Sequence, residues 1–155
     1  MINQNQRKNQ ESYREFAENF AKVIISQDFG AAHQYLAYWL QKEISPADLK
    51  ESFENELREM NEVWEIEELI YPTDFSISSN SCLLPDLKKP ESWRTPRKFS
   101  DELTEENFRQ WMVIQFLPDE DDERIEFDAW FDFWFVVAEI NSELKIGYFE
   151  FENPD

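Results

Sequence analysis

Along residues 126–134, Glu126, Asp128, Trp130, Asp132 and Trp134 occupy alternate positions of the chain. At a period of two they share one face of a strand. Carboxylates set among indoles suit recognition of a basic protein surface: acids steer the encounter and tryptophans anchor it. The other reactive side chains are few. The chain has one histidine, His33, and one cysteine, Cys82, far apart in sequence, so they form no zinc constellation. Cys82 has no evident base, no G-x-S-x-G elbow is present, and its neighbours Leu83 and Leu84 read it as a small buried hydrophobe. The acidic run 119–123 could attract calcium but lacks the glycine and alternating ligand spacing of an EF-hand loop, so a solvated turn is expected. Two glycines in 155 residues leave no phosphate-cradling loop. No metal, cofactor or catalytic residue is expected.

Charge sharpens that expectation. The chain carries 34 acids against 15 Lys and Arg, a formal −19, yet 16% of its residues are aromatic. Disordered acidic chains are poor in aromatics, so a packed domain is the reading. One domain over 1–155 fits the length, with 1–10 as a flexible tail. The charge opposes nucleic acid and anionic membranes, both polyanions. No apolar run is long enough to span a bilayer, and one cysteine permits no internal disulfide, which together suggest the cytoplasm. The charge is also uneven. Residues 101–155 hold 17 acids and 3 bases, net −14, whereas 1–100 hold 17 acids and 12 bases, net −5. Lys88, Lys89, Arg94, Arg97 and Lys98 make a basic, proline-containing loop at 85–100.

The elements that position these residues are helices first and strands after. Tyr13, Phe16, Ala17, Phe20, Val23 and Ile24 recur at helical spacing. Asp28 is placed to cap a second helix with apolar face Phe29, Ala32, Leu36, Trp39 and Leu40. Ser45-Pro46-Ala47-Asp48 begins a third, with Asp48 reaching back as a capping-box acid and Leu49, Phe53, Leu57 and Met60 on one face. Strands are expected at 63–71, 75–84, 111–117, 127–140 and 144–151, with a short helix starting in 100–107. Segregated elements predict an α+β fold, and the short turns between the last strands predict an antiparallel meander. In the long strand the odd positions Phe127, Ala129, Phe131, Phe133, Phe135 and Val137 are all apolar and should face the helices. The even face starts acidic and aromatic and ends apolar at Val136, Ala138 and Ile140. That second face needs a cover. A homodimer through the sheet would supply it, as would loop 85–100 or the N-terminal segment.

A long first helix, the aspartate-started Asp28-Phe29-Gly30-Ala31-Ala32, the Ser45-Pro46-Ala47-Asp48-Leu49 start and a following antiparallel sheet resemble the NTF2-like (cystatin-like) superfamily. The resemblance implies three N-terminal helices packed on a curved sheet as a cone, and dimerisation through the sheet's outer face. Enzymes of such a fold place an acid or an Asp/His pair inside the cone, where an apolar wall raises a carboxylate's pKa. Here that implies a ligand pocket near Tyr13, His33 and Tyr35. The core-facing positions of the long strand carry no acid, so a base would come from Glu65, Glu67, Glu139 or the C-terminal strand. The expected function is therefore a non-catalytic acidic binding protein that engages a basic protein through its C-terminal sheet, immunity-, inhibitor- or adaptor-like. The alternative is a protein binding a small apolar ligand, or an enzyme, that uses the cone pocket.

Overall fold

The structure, a computed structural model, describes residues 4–63, 69–89, 97–119, 121–123 and 131–152. Helix α1 (Gln4–Ile25) takes in residues 4–10, which the sequence had set apart as a tail. It ends with Gln27 left-handed at φ 64. The Gln27 and Asp28 amides fold back onto the Ile24 and Val23 carbonyls, a Schellman closure. Asp28 then caps α2 (Phe29–His33), its Oδ1 accepting from Ala31 N at 3.0 Å. Helix α3 (Tyr38–Glu43) follows, then α4 (Pro46–Val63). The α4 start is a reciprocal box: Asp48 N donates to Ser45 Oγ and Ser45 N donates to Asp48 Oδ2.

The single second helix expected from Asp28 onward is in fact two helices. Between them, Ala37 N donates to Ile146 O and Ile146 N donates to Tyr35 O, both at 2.8 Å. Residues 35–37 thus leave the helix to pair with the sheet's last strand, where Leu36 forms a parallel bridge with Ile146. The strand expected at 63–71 is also corrected over its described part, because Val63 ends α4 and 69–71 lie outside any strand.

The strands β1 (Asp74–Asn80), β2 (Phe108–Leu117), β3 (Phe131–Ile140) and β4 (Glu143–Glu152) form a curved, unclosed antiparallel meander in chain order. The α+β class stands. A short helix α5 (Leu84–Leu87) follows β1 at the end of the expected 75–84 strand, and 100–107 form turns rather than a helix. The β3–β4 turn is Asn141-Ser142 with φ of 51 and 67, the doubly positive geometry that suits right-twisted strands.

Two apolar layers flank the sheet. On one face Phe131, Phe133, Phe135 and Val137 are fully buried against α1 and α4, with Phe20 stacked on Phe133 at 5.4 Å and Phe53 edge-on to Phe131 at 5.1 Å. These four belong to the expected odd face of the long strand; Phe127 and Ala129 lie outside the described residues. The opposite face buries Val136 and Ala138 under Trp39, Leu84, Leu87, Leu103 and Trp111.

Candidate functional site: the second face of the sheet

Of the acid–aromatic row, Asp132 and Trp134 are described; Glu126, Asp128 and Trp130 lie outside the described residues. Pairing sets what surrounds the two. Asp132 is opposite Gln115 on β2, which is opposite Ser76 on β1. Ser76 Oγ donates to Gln115 Oε1 at 3.1 Å, and the Gln115 side chain hydrogen-bonds the Asp132 carboxyl. A polar row therefore crosses three strands. Burial raises the Asp132 pKa above the usual carboxylate range, and the Gln115 bond pulls it partly back. Among the described residues, Asp132 Oδ1 is nevertheless buried without a hydrogen-bond partner, and so is Trp134 Nε1 two residues on. Buried polar atoms are normally satisfied, so an acceptor and a donor left open on one face are unusual.

The same face shows how a carboxylate on it is satisfied. Arg97, from the basic loop, pairs with Glu150 at 3.0 Å, with side chains 11% and 12% exposed. Its guanidinium lies 5.4 Å from the Trp111 ring, and Trp111 stacks on Trp134 at 5.3 Å. Phe99 packs on Tyr148 at 4.5 Å. A cation held between an indole face and a carboxylate gains both ring and charge attraction while desolvated. The chain's own 84–87 and 97–103 segments thus cover part of the second face, one of the covers considered from sequence. Cys82 is part-buried against this layer, its N–H donating to Asn80 Oδ1 at 2.8 Å.

The three residues associated with the cone pocket go to different places. His33 is 9% exposed, and its Nε2 lies 2.7 Å from the Ile44 carbonyl oxygen. A carbonyl only accepts, so Nε2 carries the proton and the ring ties α2 to Ile44, the C-cap residue of α3. Tyr35 packs its ring 5.5 Å from both Phe16 and Phe20. Tyr13 lines a cavity of about 280 Å³ between α1 and the β1–β2 edge, which His33 and Tyr35 do not line. Glu139 pairs with Arg109 at 2.9 Å; Glu65 and Glu67 lie outside the described residues. Among the described residues no three metal-ligating side chains cluster, and no helix is long and apolar enough to cross a membrane.

Sequence reasoning missed the Gln115–Ser76 row and the Arg97 clamp. Gln115 is the polar interruption in the apolar 111–117 run, a signal that was available. Arg97 gave none, because nothing local told which of five basic residues would reach the sheet.

No protein-family model, no curated protein and no solved structure matches the chain.

Proposed function

We propose that the chain is a non-catalytic binding protein, and that an arginine-bearing segment of a basic protein partner docks on the second face of the sheet at Asp132 and Trp134. The observation that carries this reading is the pair of buried polar atoms, Asp132 Oδ1 and Trp134 Nε1, that have no hydrogen-bond partner among the described residues. Arg97 supports it by example, since it sits against Trp111 and Glu150 on the same face. The uneven charge supports it as well: net −14 over 101–155 attracts a basic surface and repels a second copy of the same region. The NTF2-like reading belongs to the same proposal. It rests on the two capped helix starts and on helices layered over one face of an antiparallel meander.

The test titrates an arginine-rich peptide against the protein across a salt series. Affinity should fall steeply as salt rises, and Asp132→Lys combined with Asp128→Lys should abolish it in a variant that still melts cooperatively. Undiminished binding by that double variant contradicts the proposal. So does a wild-type dimer that Trp134→Glu dissociates, which would give the face to a second copy.

A further inference from the structure

The cavity between α1 and the β1–β2 edge is on the helix side of the sheet, opposite Asp132. Arg7, Gln10 and Arg14 recur at three- and four-residue spacing, so they share the face of α1 turned to this cavity. Arg14 Nε is committed to Glu18 at 3.0 Å. Arg7 has no carboxylate within ion-pair distance among the described residues. Below these cations, Ile77 and the buried Met112 supply an apolar wall. Tyr13 and Ser79 bring hydroxyls that make no hydrogen bond among the described residues. Burial raises the Tyr13 pKa above its usual value, Arg109 partly opposes this and Glu139 adds to it, so the phenol stays protonated and able to donate. With Arg14 paired to Glu18, Arg7 is the lining cation left without a carboxylate partner among the described residues, and Glu11 is the lining acid, in a chain of net −19. At physiological salt, charges beyond about 8 Å are largely screened, so the side chains lining the cavity govern what enters more than the chain's overall charge does.

We propose that this cavity binds a small amphipathic anion, its carboxylate or similar head held by Arg7 and the Tyr13 and Ser79 hydroxyls and its apolar body on Ile77 and Met112. A volume of about 280 Å³ suits a compact ligand, near the lower end of the roughly 300–1,000 Å³ range of small-molecule sites. The guanidinium fork suits a planar or tetrahedral oxyanion. Gln110 narrows one side, held by its bond to the Asn80 carbonyl.

The probe is octanoate, with neutral 1-octanol beside it, followed by amide NMR shifts on the full chain. Octanoate should saturate, with shifts centred on 7–14 and 77–79 and an affinity at least fivefold above octanol. Arg7→Gln should weaken octanoate about tenfold and leave octanol unchanged. Ser79→Phe should close the cavity to both ligands. Equal affinity for the two ligands, shifts located elsewhere, or indifference to Arg7→Gln overturns the proposal. Asp132→Asn should bind octanoate as the wild type does, so this outcome is independent of the partner-binding face.

Discussion

Asp132 is held where its charge is costly, and that makes a prediction about pH. Burial raises its pKa, with only the Gln115 bond opposing. Such a group leaves stability untouched below its unfolded pKa of about 3.9. It lowers stability as pH rises through its folded value, because ionisation is harder in the native state. Asp132→Asn removes the charge and keeps an acceptor for Gln115. The variant should melt a few degrees above the wild type at pH 7 and together with it at pH 3, as thermal denaturation by circular dichroism would show. A wild type more stable than the variant at pH 7 would mean that the carboxylate already has a stabilising partner. Asp48 has the opposite sign. The Ser45 backbone and side-chain bonds hold its pKa below the usual range, so what it contributes is present at neutral pH and lost in acid.

Among the elements, β4 shows why some of the fold was legible and some was not. Gly147 is the extra residue in a bulge: Val136 pairs with Tyr148 and Val137 with Ile146. Trp39 Nε1 donates to the Gly147 carbonyl at 3.0 Å, drawing the indole onto the strand. A Cβ at 147 would sit 3.1 Å from Leu103 Cδ1 and 3.3 Å from both Ala138 Cβ and Trp39 Cζ2. Gly147→Ala should therefore destabilise the protein by about 1–3 kcal/mol, read by denaturant titration with an unchanged m-value. No loss would mean that Trp39 and Leu103 yield freely. Local chemistry made the α1 stripe, the Asp28 and Ser45 caps, the Asn141-Ser142 turn and the apolar odd face of β3 readable. The break after α2 was not readable, because Phe29, Ala32, Leu36, Trp39 and Leu40 satisfy a helical period. The competing force is a pair of long-range hydrogen bonds to Ile146 that no local pattern encodes. The candidate site was half legible for the same reason. Alternation set Asp132 and Trp134 on one face, while Gln115, Ser76 and Arg97 join them only through register and a loop crossing.

At the scale of the molecule, the two sheet faces differ. The helix side is filled by packed phenylalanines, and the cavity lined by Arg7 opens at its edge. The other side carries indoles and carboxylates, and the chain's own Arg97 already occupies part of it. In the proposed reading, the acid excess of the last third would draw a cationic segment toward that side, with Asp132 and Trp134 as the point of contact. A field alone would bind any polycation regardless of which acid is removed. The contact distinguishes itself by depending on one carboxylate. The most direct measurement is isothermal titration of an arginine-rich peptide at physiological salt against wild type, Asp132→Asn and Glu51→Gln, the last removing one equal charge from an exposed position on α4. The account predicts that Asp132→Asn weakens binding about tenfold or more, the worth of a charge-assisted hydrogen bond, and that Glu51→Gln shifts it less than twofold. Equal, small losses for both variants would contradict it.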